Sequence, residues 1–157
     1  MNSHDIIILG GGLIGQTMAL ALDKHGLTSV VIDPVDPTTT LTTEFDGRVT
    51  AISSSSWKMF DALGLGPRMR AEACPIQRIE VRDGADGAPL DFQSDQDDDA
   101  LGLMLENRVL RRELWALLQQ APHVTRKFGQ RAVKLDRGPH RVRAVLEDGS
   151  EVTAPLA

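Results

Sequence analysis

Three consecutive glycines join an apolar run to a helical segment near the start of the chain, and this junction constrains the fold most strongly. The apolar run, residues 6–9, has the unbroken hydrophobicity of a parallel strand that is covered on both faces. Residues 13–25 follow the helical pattern, Gly26 is suited to end the helix, and residues 30–32 resemble a second buried strand. Strand, helix and strand within about 30 residues predict a βαβ unit.

The glycine spacing adds a binding function to this unit. Gly10, Gly12 and Gly15 fit the pattern G-x-G-x-x-G, which is weak alone but here has a strand before it and a helix after it. Asp33 ends the second strand, where an acid is expected in dinucleotide-binding units. Gly15 and Ala19 are small, and we expect them to let the helix lie close against the sheet.

The start of the predicted helix has no capping side chain. No Ser, Thr, Asp or Asn stands at the turn, so the first N–H groups, including those of Leu13 and Ile14, lack a side-chain partner. A pyrophosphate would satisfy these groups, and the helix dipole would favour its charge. Asp33 would then accept a hydrogen bond from a ribose hydroxyl. The alternative is a tight turn in an ordinary α/β protein with Asp33 as a loop acid.

The middle of the chain has shorter elements. Residues 34–52 are rich in proline and threonine and are predicted to be a loop. The stretch SSSSWKMFDALGLGP predicts a short helix with one of Ser54–Ser56 as its N-cap. Its predicted apolar face consists of Trp57, Phe60 and Leu63, and Gly64 is predicted to end it. Residues 76–83 alternate as a strand does, and residues 88–94 are its predicted neighbour across a turn.

The second half contains one long helix and a meander. Residues 107–120 predict the helix, with Leu110, Leu114, Leu117 and Leu118 on one face. Three alternating segments near 131–136, 141–146 and 151–156 predict a three-stranded antiparallel sheet.

Composition limits the classes of function. A net charge of −5 argues against a nucleic-acid binder that relies on general electrostatic attraction. Cys74 is the single cysteine, and the first apolar run is too short for a signal peptide or a membrane span. We therefore expect a soluble, cytoplasmic protein, with peripheral membrane contact left open.

Metal binding is not expected. The acidic stretch at residues 95–100 fixes no coordination geometry and is interpreted as a surface loop. The histidines have no ligand spacing: His4, His25, His123 and His140.

An arginine lies at the start of the second long helix, where its charge opposes the helix dipole. Arg108 opens the helix, and Arg112 follows at a spacing at which two cations repel each other. A bound anion near the helix start would remove this conflict. Screening by Glu106 and Glu113 at the surface would do so equally well, and the sequence does not choose between them.

Two further motifs carry a family resemblance. The glycine motif, Asp33, the segment DGRVTA at residues 46–51 and the segment ENRVL at residues 106–110 stand in the order found in flavoprotein aromatic hydroxylases similar to p-hydroxybenzoate hydroxylase. Within that family the chain looks most like the ubiquinone-biosynthesis hydroxylases. The resemblance covers essentially the whole chain but only the N-terminal part of such proteins, so the chain is interpreted as truncated.

The resemblance implies an α/β, Rossmann-like FAD-binding domain over residues 1–157, with residues 76–106 beginning the sheet of the substrate domain. It implies that the glycine motif holds the pyrophosphate and Asp33 the adenosine ribose. It also implies that Arg48 lies along the flavin side, that Arg108 reaches the pyrophosphate or ribityl region, and that the backbone of Val133 contacts adenine.

The implied reaction uses NADH or NADPH to reduce FAD and O₂ to hydroxylate a small aromatic substrate, here a polyprenylated phenol. No catalytic side chain is assigned. We expect the chain alone to be inactive and its uncovered apolar surface to favour self-association. An NAD-dependent dehydrogenase and a non-catalytic nucleotide-binding fragment remain the alternatives.

Overall fold

A computed structural model of the protein describes residues 4–41, 44–84, 87–94 and 100–157. The chain divides into two compact units, one of Met1–Thr43 with Arg111–Ala157 and the other of Glu44–Leu110. The sequence analysis expected the substrate-domain sheet to begin at residue 76. The second unit begins earlier, at Glu44, and its assignment to a substrate domain stays a prediction.

The first unit is built on the predicted βαβ motif. Strand β1 (Ile6–Leu9) leads into helix α1 (Leu13–Lys24), and the chain returns as strand β2 (Ser29–Asp33). The two strands are parallel and in register from Ile6 opposite Ser29 to Leu9 opposite Ile32. Strand β8 (Val124–Phe128) pairs in parallel with the other edge of β2 and was not predicted. Its sequence, VTRKF, offers too little apolar alternation to identify a strand without its partner.

Helix α1 lies very close to the strand that precedes it. A Cβ atom on Gly15 would lie 1.8 Å from the Gly10 carbonyl oxygen, so only glycine allows this approach. Ala19 is fully buried one turn later, as the spacing of small residues predicted. The helix ends at His25, and Gly26 follows with a φ of 72°, which confirms its predicted role as the residue that ends the helix.

The predicted meander is present in the same unit. Strands β9 (Ala132–Arg137), β10 (Val142–Leu146) and β11 (Glu151–Ala154) form an antiparallel sheet in the order β11-β10-β9. Its inner face shares one core with the parallel sheet, made of Ile7, Val30, Ile32, Val142, Ala144, Leu146, Val152 and Ala154. Alternating apolar residues therefore bury one face of the meander, as their period predicted.

The second long helix, α4 (Asn107–Leu118), is present where it was predicted. Leu110, Leu114 and Leu118 are buried, whereas Leu117 is only half-buried at the margin of the apolar face. Trp115 packs edge-on against Phe128 of β8, with ring centroids 5.4 Å apart. Among the described residues, no helix is both long and apolar enough to cross a membrane.

The second unit contains a small antiparallel sheet and a hairpin. Strands β3 (Val49–Ser53), β4 (Cys74–Ile76) and β7 (Gly102–Glu106) form the sheet in the order β3-β7-β4. Strands β5 (Arg78–Val81) and β6 (Leu90–Gln93) form the hairpin predicted across the turn. Helices α2 (Ser54–Ala62) and α3 (Gly66–Met69) follow β3.

Three predictions for the middle of the chain were wrong in detail. Residues 34–52 are not all loop, because they contain a short 3₁₀ helix at Pro37–Thr39 and strand β3. The N-cap of α2 is Ser53, one residue before the predicted serines, and its hydroxyl accepts the N–H of Ser56 at 3.2 Å. Residues 76–83 do not form one strand, because the chain changes its pairing partner from β7 to β6 at Gln77.

The close approach of α1 predicts the effect of adding one methyl group. We expect Gly15→Ala to lower the free energy of unfolding by about 2–3 kcal/mol, because the new Cβ would displace backbone rather than a flexible side chain. Gly12→Ala is the matched control and should cost less than about 1 kcal/mol, because a Cβ there meets nothing within 4 Å. Urea unfolding of both variants measures the difference, and equal losses would contradict the packing argument.

Candidate cofactor-binding site

The glycine turn presents an open helix N-terminus. Gly10 has a φ of 109°, a backbone conformation that residues with a side chain rarely adopt. Its N–H donates to the Ile32 carbonyl at 2.9 Å. Gly12 is the N-cap of α1 and makes no side-chain capping bond. A Cβ on Gly12 would meet no atom of the described residues within 4 Å, so those residues leave open space beside Gly12 at the first helical turn. The first N–H groups can therefore donate hydrogen bonds to an anion.

Asp33 is bonded to the turn itself. Its Oδ2 accepts the N–H of Gly11 at 2.6 Å, and its Oδ1 accepts the N–H of Val35 at 2.7 Å. The sequence analysis assigned Asp33 only to a ribose, and these backbone bonds are an additional role. Since a carboxylate oxygen accepts two hydrogen bonds, each oxygen can still accept a hydroxyl of a ligand.

Gln16 contacts the turn from within the helix. Its side chain is buried, and its Nε2 donates to the Gly11 carbonyl oxygen at 2.7 Å. Its Oε1 is also buried and has no hydrogen-bond partner within the described residues. Gln16 is absent from the site residues that the sequence predicts, although a glutamine among apolar residues on one helix face is a visible signal.

These groups line one groove with a volume of about 230 Å³. Its walls are Gly11, Gly12, Leu13, Gln16, Asp33, Val35, Pro37, Thr40, Leu41 and Arg111. Arg111 is the one basic residue in this set, and it is absent from the site residues that the sequence predicts. Leu13 lines the groove, and its contact with a cofactor stays a prediction. The side chain of Ile14 is 84% exposed, and Ile14 is not among the residues that line this groove.

The two motifs that contain Arg48 and Arg108 meet in the second unit. Val49 of β3 lies opposite Glu106 of β7, and the N–H of Asn107 donates to the Arg48 carbonyl at 3.1 Å. The Thr50 hydroxyl donates to Asn107 Oδ1 at 2.5 Å, which links the motifs through side chains as well. Sequence segments more than fifty residues apart are thus direct neighbours. Convergence of Arg48 and Arg108 on the glycine turn stays a prediction.

The acidic residues near the start of α4 pair with its arginines. Arg108 Nε donates to Glu106, and Arg112 Nε donates to Glu113 Oε1 at 2.8 Å. Glu106 and Glu113 thus pair with the arginines as in the alternative to a bound anion, except that Glu113 is buried and does not lie at the surface. The position of Arg108 against the helix dipole therefore has an explanation within the protein.

The adenine-contact and metal-binding predictions concern residues outside the groove. Val133 lies on β9 with an exposed side chain, and its backbone contact with adenine stays a prediction. Residues 95–99 of the acidic stretch lie outside the described residues. No group of three or more His, Cys, Asp or Glu side chains in the described part of the chain could hold a metal ion.

Curated relatives cover almost all of this chain. Ubiquinone hydroxylase UbiL of Rhodospirillum rubrum is 37% identical over 152 residues, which is 97% of this chain and 35% of the relative. The 3-demethoxyubiquinol 3-hydroxylase of Escherichia coli is 30% identical over 154 residues, which is 97% of this chain and 39% of the relative. The chain thus spans between 35% and 39% of the length of these two proteins.

Solved structures share the fold. PqsL, a probable FAD-dependent monooxygenase from Pseudomonas aeruginosa, matches with a TM-score of 0.73 and 21% identity over 96% of this chain and 40% of its own. The flavin-dependent monooxygenase PieE, solved with FAD and substrate, matches with a TM-score of 0.71 and 20% identity over 98% of this chain and 29% of its own. At these identities the likeness shows the fold alone.

The family match resolves which dinucleotide the site accepts. The sequence left NAD and FAD open, and the uncapped helix, the empty space at Gly12 and the acid at the end of β2 suit the ADP portion of either. The FAD binding domain family matches residues 3–155, which is nearly the whole chain. The chain belongs to the FAD binding domain family, and its cofactor is FAD.

Proposed function

We propose that this chain is the FAD-binding part of a flavin-dependent aromatic-ring monooxygenase that hydroxylates a polyprenylated phenol in ubiquinone biosynthesis. The observation that carries the proposal is the glycine turn, where an uncapped helix N-terminus faces open space beside Asp33. The substrate class is taken from the two relatives, whose names describe ubiquinone hydroxylases. NADH or NADPH is the reductant by analogy with the family that the sequence resembles.

The residues of the groove divide the binding of FAD between them. The N–H groups at the start of α1 would hold the diphosphate, where the helix dipole favours negative charge. Asp33 would accept a ribose hydroxyl and would repel a 2′-phosphate. Arg111, in the groove wall, would neutralise part of the diphosphate charge. In this class of enzyme, bound FAD supplies electron transfer from the nicotinamide to O₂, one atom of which enters the aromatic ring.

The partners and location follow from the substrate class. A polyprenylated phenol is soluble in lipid, so we infer a cytoplasmic protein that contacts the membrane at its periphery to reach it.

Leu9, Ile14 and Met18 are exposed beside the glycine turn, and their contiguous apolar surface supports the prediction of self-association.

Cofactor binding and turnover test the proposed function separately. We expect the 157-residue chain to quench FAD fluorescence on titration but to form no ring-hydroxylated product from NADPH, O₂ and a panel of phenols. The reason is that hydroxylation requires flavin, O₂ and substrate to be held together with water excluded, whereas the chain spans 35–39% of its relatives. Mass spectrometry detects the product. Absence of FAD binding would contradict the cofactor assignment, and product above the rate with free FAD would contradict the expected inactivity.

Gly12 tests where the diphosphate lies. We expect Gly12→Val to weaken FAD binding at least about tenfold, because the side chain would fill the space that the phosphate needs. Unfolding stability should change little in comparison, since that space contains no protein atoms. Isothermal titration with FAD and thermal unfolding without it measure the two quantities. FAD affinity equal to that of the parent chain would place the diphosphate elsewhere.

Arg111 tests the electrostatic part of the site. We expect Arg111→Met to reduce FAD affinity by about 1.5–3 kcal/mol, the usual value of a hydrogen bond to a charged group. Arg137→Met removes the same charge from an exposed position outside the groove and should leave affinity nearly unchanged. Fluorescence titration at low and high salt compares the two variants. Equal losses in both would mean that Arg111 acts only through net charge.

A further inference from the structure

Gly11 is held on three sides. Its N–H donates to Asp33 Oδ2 at 2.6 Å, and its carbonyl oxygen accepts from Gln16 Nε2 at 2.7 Å. A Cβ at Gly11 would lie 2.2 Å from Cε1 of Phe128, so the ring closes the remaining side. Both peptide groups that flank Gly11 are therefore fixed by side chains rather than by secondary structure.

The bond from Gln16 sets the direction of the next N–H group. The Gly11 carbonyl and the Gly12 N–H belong to one peptide unit, and in a planar trans peptide they point in opposite directions. Because Gln16 holds the carbonyl oxygen toward the buried side of the helix, the Gly12 N–H points away from that side. Gly12 is exposed and has empty space beside it, where the diphosphate would approach.

Gln16 is a costly choice for a purely structural role. The side chain is 4% exposed, and its Oε1 has no hydrogen-bond partner among the described residues. An unpartnered buried acceptor lowers stability, and an apolar side chain of the same length would avoid that loss. A residue that costs stability and orients a binding group is typical of functional sites, where stability and activity trade against each other.

We propose that Gln16 is a positioning residue for the cofactor, which orients the Gly12 N–H toward the diphosphate by holding the Gly11 carbonyl. This inference rests on the FAD binding proposed above. It distinguishes Gln16 from Asp33, which holds the opposite side of Gly11 and also faces the ligand. It predicts that cofactor affinity falls when Gln16 is replaced, without a matching loss of stability.

The test is Gln16→Met, which keeps the length of the side chain and removes both of its polar atoms. We expect FAD affinity to fall about five- to tenfold, as for the loss of one hydrogen bond. The midpoint of thermal unfolding without FAD should change little, because the lost bond to the Gly11 carbonyl offsets the removal of the unpartnered Oε1. Thr17→Val is the matched control: Thr17 is buried on the same helix, and its hydroxyl donates to the Leu13 carbonyl at 2.7 Å, not to the glycine turn. Its FAD affinity should remain that of the parent chain.

A second readout does not need FAD. In the cofactor-free chain, the Gly12 amide should exchange its hydrogen at a different rate in Gln16→Met than in the parent and in Thr17→Val, as followed by NMR. If the parent does not bind FAD, the proposed function fails, and the exchange rate still tests the role of Gln16. Unchanged FAD affinity with unchanged exchange would overturn the inference, as would a loss of affinity that matches a loss of stability.

If Gln16→Met does not fold, Gln16→Leu replaces it. This variant also removes both polar atoms and has no donor for the Gly11 carbonyl, so FAD affinity should fall about as far as expected for Gln16→Met. Affinity equal to that of the parent chain in a folded Gln16→Leu would also overturn the inference.

Discussion

The contact on which the first unit depends is the one between the first turn of α1 and the carbonyl oxygen of Gly10. No side chain separates helix from strand at Gly15, so the helix lies directly against the sheet and its N-terminus opens at the carboxyl end of β1. The carboxyl end of β2 is adjacent, which brings Asp33 to the turn. Because Gly15 has no Cβ, the positive end of the helix dipole lies next to Asp33, and the groove forms at this position.

Much of this unit could be predicted because its signals are local. The apolar runs of β1 and β2, the small residues of α1 and the alternation of the meander each describe a whole element within a few neighbouring residues. The strands that escaped prediction depend on distant partners. Strand β3 pairs with β7, and β8 completes the edge of a sheet whose other strands lie almost a hundred residues earlier. Their own residues are too polar or too few to identify them alone.

The site was predictable in its backbone and less so in its side chains. The glycine turn and Asp33 follow from spacing, because a turn of this kind needs residues without Cβ atoms at fixed positions. Arg108 and Arg111 are both arginines on the first turns of one helix, and the signals in the sequence, a charge opposed to the dipole and the family resemblance, point to Arg108. The rotation of that helix places Arg111 in the groove wall, whereas Arg108 pairs with Glu106. The rotation of α4 about its axis is set by its packing, and the leucine pattern predicts this rotation only approximately.

The pairing of β3 with β7 has an evolutionary consequence. Residues 54–101 connect Ser53 to Gly102, which lie opposite each other, so both ends of this segment are anchored side by side, and β4 pairs with the other edge of β7. When the ends of a segment are already joined by a ladder, lengthening it adds only a logarithmic entropy of closure. Insertions, deletions or exchange in the parts of this segment outside β4 should therefore leave the anchoring motifs intact. Such an arrangement lets the part of the chain between the two motifs diversify while the ends that bracket it stay fixed.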